Sequence, residues 1–213
     1  MTSRTAQWLI LAAVLLAAPG CVHRSGRLDP FPSKIGKLHP SAPAVGILRF
    51  TDTREHPDWV APRLRSLPPP RVFFEEASLA AIQRIGMNGL ILSAPSGIAP
   101  KKVAELSSEM GLDAVLSGRV IRCDQTLRTR WWQDDQVDAS CTIALILRDP
   151  RGKTLYSTES YGKGSAGIVR KDTTDHIHGA FFHAVEEAVS RRIDSAFAET
   201  VRRSVRETQG EKP

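Results

Sequence analysis

Residues 113–157 read DAVLSGRVIRCDQTLRTRWWQDDQVDASCTIALILRDPRGKTLYS, and this stretch decides the fold. Asp113 to Gln125 and Gln136 to Arg148 are rich in Val, Ile and Leu with polar residues interleaved, the pattern of strands. Between them lies LRTRWWQDDQ (127–136), so the two runs make one long hairpin. Asp149-Pro150-Arg151-Gly152 is a strong turn, because Pro suits its second position and Gly its fourth. Lys153 to Tyr161 is the returning strand. The three runs form an antiparallel meander.

Working toward the N-terminus, a helix starts at Pro100, where the first turn tolerates proline. Val103, Leu106 and Met110 mark its apolar face and Gly111 caps it. Leu90 to Ser93 is a short strand. Before it, a helix from Val72 carries Phe74, Ser78, Ala81, Ile82 and Ile85 at spacings of three and four, and Gly86, Asn88 and Gly89 stop it. A polar, Pro-rich loop (52–70) separates that helix from a first strand, AVGILRFT (44–51). Toward the C-terminus, Thr173 to about Arg203 reads as one long amphipathic helix with Phe181, Val185, Ala188, Val189, Ala196 and Phe197 on its apolar side. The order β-α-β-α-β-β-β-α predicts an α+β fold, a two-layer α/β sandwich. It would hold a mixed sheet of about five strands with the helices on one face.

The first residues are of a different kind. Arg4 precedes an unbroken apolar run, WLILAAVLLAA (8–18), and Pro19 and Gly20 lead into Cys21. A spanning helix needs about 20 apolar residues, roughly twice this run, so residues 1–20 read as a cleavable export signal. Ala18-Pro19-Gly20-Cys21 resembles the lipobox of bacterial lipoproteins, which implies that Cys21 receives diacylglycerol. Ala18 stands where Leu is usual, and Pro19 is uncommon there. An ordinary signal-peptidase cut nearby and an uncleaved anchor are the alternatives. Residues 21–42 carry Pro30, Pro32 and Pro40 among scattered basic residues and read as an extended tether. One domain is expected over 43–205 and a disordered tail over 206–213.

Composition is that of a globular chain, 41% hydrophobic and 24% charged. A net charge of +6 and a pI near 9.5 suit nucleic acid. Export argues against that partner and turns the basic surface toward anionic lipid headgroups, cell-wall polymer or acidic protein surfaces, or toward solvent alone.

With Cys21 assigned to lipid, Cys123 and Cys141 remain. They are equidistant from Trp132, so a symmetric hairpin makes them face each other on one side of the sheet. In an oxidising compartment that placement favours a disulfide, with two buried free thiols as the other reading. At the tip, Trp131 and Trp132 are adjacent and cannot both face one core. Arg128 and Arg130 precede them, and Asp134 and Asp135 follow. Trp and Arg are enriched at interface hot spots, so the tip is a candidate partner-binding site, with Trp59 a second contact. The alternative folds one Trp back onto the sheet. Gly162-Lys163-Gly164-Ser165-Ala166-Gly167 has nucleotide-loop spacing, but no βαβ unit follows, so it reads as a flexible strand-to-helix connection. His176, His178 and His183 lack the i, i+4 spacing of a helical metal pair, and no metal or cofactor is expected. No nucleophile elbow, Walker loop or paired catalytic carboxylate points to an enzyme.

The export signal ending at Cys21, the first strand AVGILRFTDTR (44–54), DAVLSGRVIRC (113–123) answered by CTIALILRDPRGKTLYS (141–157), and the terminal helix together resemble small envelope lipoproteins of the YajG type. They also resemble the wider transport-auxiliary lipoproteins. That resemblance implies a non-catalytic accessory protein of an envelope complex, for transport or wall assembly. Lipopolysaccharide-assembly lipoproteins have a broadly similar element order, which makes a lipid, lipopolysaccharide or glycan ligand the alternative. Val22, where inner-membrane lipoproteins carry Asp, implies the outer membrane, facing the periplasm.

Overall fold

The computed structural model describes residues 41–54, 70–130, 133–168 and 173–210. In chain order the elements are β1 (Ala44–Arg49), β2 (Thr51–Asp52), α1 (Pro70–Arg84), β3 (Asn88–Pro95) and α2 (Pro100–Met110). They continue with β4 (Ala114–Arg130), β5 (Gln133–Arg148), β6 (Thr154–Ile168), α3 (Thr173–Ser190) and α4 (Ser195–Gln209). The fold is α+β around one mixed sheet of order β3-β1-β4-β5-β6, with β2 also paired to β4. β1 runs parallel to both β3 and β4, while β4, β5 and β6 form the antiparallel meander.

Side chains alternate across a strand, so the two faces can be followed residue by residue. Val45 and Ile47 of β1 join Leu116 and Val120 of β4 and Ile143, Leu145 and Leu147 of β5 in the main core. Phe73, Phe74, Ala77, Ala81 and Ile82 of α1 cover them, with Ala180, Ala184, Val185, Ala188 and Val189 of α3 and Phe197 and Val201 of α4. Leu48 points the other way, into a separate cluster with Leu92, Val103, Leu112 and Val115.

Val103 lies on α2, so α2 covers the opposite face and the expectation of helices on one face is corrected. Topology supplies the reason. The chain crosses from β1 to β3 through α1, then back past β1 to β4 through α2. Parallel crossovers are right-handed in almost every protein, and two that run in opposite directions must use opposite faces.

β1 and β2 are broken at Phe50, just after the register with β3 shifts between Ile47 and Arg49. The Phe50 N–H donates to the Glu75 carboxylate of α1 at 2.8 Å. Its ring is 1% exposed and stacks on Phe74 with centroids 6.5 Å apart. Gly118 of β4 makes room for it, since a Cβ there would lie 2.2 Å from that ring.

The long terminal helix is two helices. α3 ends at Ser190. Asp194 then caps α4, accepting from the N–H groups of Ala196 at 2.9 Å and Phe197 at 3.1 Å. Ile193, between them, is buried in the core. α4 runs through Gln209 to a left-handed Gly210, so the domain end expected at 205 falls inside it.

β6 reaches Ile168, and the glycine-rich 162–167 is therefore strand, not connection. Gly162 and Gly164 lie under α3. A Cβ on either would sit 2.0 Å from a carbonyl oxygen, of Ala184 and Ala180 respectively. The glycines let the helix seat directly on the strand.

Candidate interaction face

Across β4, β5 and β6 the register fixes which residues stand side by side on the face away from α1, α3 and α4. Starting near α2, the rows are Ser117–Ile146–Ser157, Arg119–Ala144–Glu159 and Arg122–Thr142–Tyr161. Toward the tip follow Asp124–Ser140–Lys163, Thr126–Asp138–Ser165 and Arg128–Gln136–Gly167. A bulge at Ile121 sets the offset between the second and third rows.

Arg119, Glu159, Tyr161 and Lys163 are exposed, and the β5 members are half-buried, shielded only by their neighbours. Arg122 pairs with Asp124, and Arg128 with Asp138 at 2.6 Å. The Lys163 ammonium sits 5.4 Å from the Tyr161 ring centroid. Arg119, Glu159 and Lys163 have no ion-pair partner among the described residues. At the α2 end a depression of about 540 Å³ is lined by Thr51, Ser96, Ser117, Arg119, Ile146 and Glu159. It opens at the carboxyl ends of β1 and β3.

Cys123 and Cys141 are directly opposite on the packed face. Their pair type follows from α3. The Lys163 N–H turns outward to Glu187, and the Tyr161 carbonyl turns outward to Arg191. Gly162, between them, therefore points its backbone at β5, and its partner Cys141 points back at β6. Cys141 then makes no backbone hydrogen bond to Cys123, and they form a non-hydrogen-bonded pair. That is the closer kind, with Cα atoms about 4.5 Å apart. Both are free thiols in this structure. The hydrogen bond to Cys123 and burial push the Cys141 thiol well above its ordinary range.

Of the tip residues singled out from sequence, Arg128 is described and exposed, ion-paired across the hairpin. Arg130 closes the β4–β5 ladder opposite Gln133 through its backbone. Cys21, Trp59, Trp131, Trp132 and the tether through residue 40 lie outside the described residues. His178 is buried and packs beside Phe182, and His183 is exposed. No group of three metal-ligating side chains occurs among the described residues, and none of their helices is long and apolar enough to cross a membrane. Sequence reasoning missed Arg119, Asp124, Glu159 and Lys163. Strand alternation carried the signal, but only the register with its bulge brings them into rows.

No family model matches the chain, and no curated protein is similar to it. Among solved structures it is similar to lipoprotein GNA1162 of Neisseria meningitidis, with 12% identity over 65% of this chain and 94% of that one and a TM-score of 0.42. Protein CT253 of Chlamydia trachomatis is 11% identical over 76% of this chain and 98% of that one, with a TM-score of 0.46. Protein XCC0632 of Xanthomonas campestris, described by the DUF330 family model, is 11% identical over 79% and 94%, with a TM-score of 0.44.

Proposed function

We propose that the chain is a lipid-anchored accessory protein of a bacterial envelope that acts by binding and carries out no chemistry of its own. Cys21 is the anchor, the outer membrane its seat and the periplasm its surroundings. The observation that supports binding is the meander. Its inner face is packed by three helices, while its outer face holds rows of charged and hydroxyl side chains with only α2 on that side among the described residues. Transport or wall-assembly machinery is the class of complex served, in keeping with the resemblance to transport-auxiliary lipoproteins. Cys123 and Cys141 are, we propose, joined in that compartment.

Metabolic labelling with a tagged fatty acid tests the anchor. The wild-type chain should take up label and Cys21→Ser should not, moving to the soluble fraction. A labelled C21S protein refutes the assignment. A photo-crosslinker at Ser157, on the exposed face, tests binding: adducts to one defined envelope component are expected, and none would count against the reading.

The depression favours a second reading, a ligand site. Ligands in open α/β sheets settle outside the carboxyl ends of strands, where the connections diverge to opposite faces. Its hydroxyl-rich lining suits a glycan better than an acyl chain. Native mass spectrometry of the purified protein distinguishes a retained lipid from a retained sugar.

A further inference from the structure

In two of the outer rows charge is antisymmetric about β5. Arg119 and Glu159 stand on β4 and β6 with Ala144 between them, and Asp124 and Lys163 stand likewise with Ser140 between. Two strand spacings separate the members of each row, about 10 Å, and successive rows lie about 7 Å apart. The row between them is Arg122–Thr142–Tyr161, a cation opposite an aromatic ring.

Consider a second copy turned by a two-fold axis parallel to β5 and lying just above this face. The operation exchanges β4 with β6 and keeps every row at its own height. Arg119 then meets Glu159 of the other copy, and the Arg122–Asp124 ion pair meets the Tyr161–Lys163 pair, setting Asp124 by Lys163 and Arg122 by the Tyr161 ring, each contact made twice. The alternative axis, perpendicular to the strands, also sets opposite charges together, Arg119 on Asp124 and Glu159 on Lys163, but it stacks Arg122 on Arg122, so the middle row favours the first axis. Small residues in the centre of the face, Ser140, Thr142 and Ala144, let two sheets approach to the usual packing distance of about 10 Å.

We propose that this face is a homodimer interface, an isologous pairing of two meanders about a two-fold axis parallel to β5. The proposal rests on the binding role argued above and names the partner of that face as a second copy. Isologous contacts require a self-complementary patch, which the two rows supply. Two chains each carrying +6 repel at a distance, so the paired rows supply the attraction against that background, and the row Arg122–Thr142–Tyr161 sets the orientation. Sheet twist lets only the central rows meet closely, centred on Thr142. The face is therefore small and the dimer salt-sensitive, and lipid anchoring in one membrane would raise its effective concentration.

Charge exchange tests this in the full-length chain in detergent micelles, by sedimentation equilibrium. R119E and E159R, each alone, should weaken dimerisation by about tenfold or more, since each replaces two attractions by two repulsions. The double variant R119E/E159R should restore it. A zero-length carbodiimide crosslinker applied to mixed light- and heavy-isotope chains should join Lys163 of one copy to Asp124 of the other. A chain monomeric at all concentrations, or a dimer indifferent to the single reversals, overturns the interface. A monomer that still crosslinks from Ser157 to a different envelope protein overturns the self-association while the binding role stands.

Discussion

A bond between Cys123 and Cys141 should make the protein measurably more stable, by an amount that the structure constrains from both sides. Oxidation needs a two-electron acceptor, here the disulfide of a thiol oxidoreductase. The Cys123 thiolate attacks the donor disulfide and releases one donor thiol. Cys141 then attacks the mixed disulfide, and the donor leaves as a dithiol. The closed loop, 123–141, is about 18 residues, which in the chain-entropy model stabilises by about 3 kcal/mol. Two effects reduce this. Cβ atoms of a directly opposed cross-strand pair lie about 4.5–5.5 Å apart, at the near end for a non-hydrogen-bonded pair, whereas a disulfide wants about 3.8 Å, so the strands must draw together. A hairpin also retains local structure when unfolded, so the reference chain is already restrained. A net of about 1–3 kcal/mol remains, or about 2–12 °C in Tm for a chain of this size. The assay is thermal unfolding of the full chain in detergent with and without dithiothreitol, alongside intact mass. The unreduced protein should be lighter by two hydrogens and melt higher. C123S should melt like the reduced wild type and ignore the reductant. Two alkylatable thiols in unreduced protein from an oxidising compartment would refute the bond. A change in Tm under about 1 °C would refute the energetic argument.

Burial pushes the Glu75 carboxyl above its ordinary range, against the opposing effect of the hydrogen bond from Phe50 N–H. Between its unfolded and folded values the folded chain binds the extra proton, so Glu75 lowers stability as pH rises through that window. E75Q should leave Tm nearly unchanged near pH 4 and raise it relative to wild type at pH 7–8, as buffer-matched melts at each pH will show; a pH-independent difference contradicts this. Gly164→Ala puts a methyl against the Ala180 carbonyl and should cost about 1–3 kcal/mol in denaturant unfolding, although alanine favours strands no less than glycine does. An unchanged midpoint would mean that α3 does not rest on β6 at this point. Asp194→Ala removes the α4 cap and should cost about 1 kcal/mol, while Asp194→Asn, which keeps an acceptor, should cost less; equal losses would reassign the role of the side chain.

The hairpin was legible because both its strands show a period of two and its far turn is spelled by Asp149-Pro150-Arg151-Gly152. The placement of Cys123 opposite Cys141 was legible for the same reason, since from Arg122 to Arg128, between the two register shifts, paired positions are equidistant from position 132. What escaped depended on partners far away in sequence. The face taken by α2 depends on the strand order β3-β1-β4, which no local pattern encodes. Gly162 and Gly164 read as loop because glycine weakens strands, and they become strand once α3 lies on them. Nothing local marks Glu75, whose carboxylate gains a buried donor only because the backbone is interrupted at Phe50. The break before α4 had a local sign, Asp194, outweighed by an apolar period that continues across it into Ala196 and Phe197.

The cysteines and the outer rows bear on one another through register. A one-residue slip between β4 and β5 sends every side chain of the slipped strand to the other face. It would carry Arg122 and Asp124 inward against the core and turn Cys123 outward, destroying the charge pattern and the packing together. The apolar members of β5 resist such a slip, but near the tip they thin out: among the described residues Val137 and Ala139 are the buried members of β5 nearest that end. Cys123 and Cys141 lie one residue toward the tip from the row Arg122–Thr142–Tyr161 and one residue short of Asp124–Ser140–Lys163, directly behind the centre of the proposed contact. A covalent link there fixes the register where hydrophobic packing specifies it less firmly. On the other flank Glu187 and Arg191 of α3 occupy outward backbone groups of β6, so that edge is held by the helix and not left to pair freely. Both devices act on the part of the sheet that carries the opposed charges, and neither is needed to close the main core, which α1, α3 and α4 already seal.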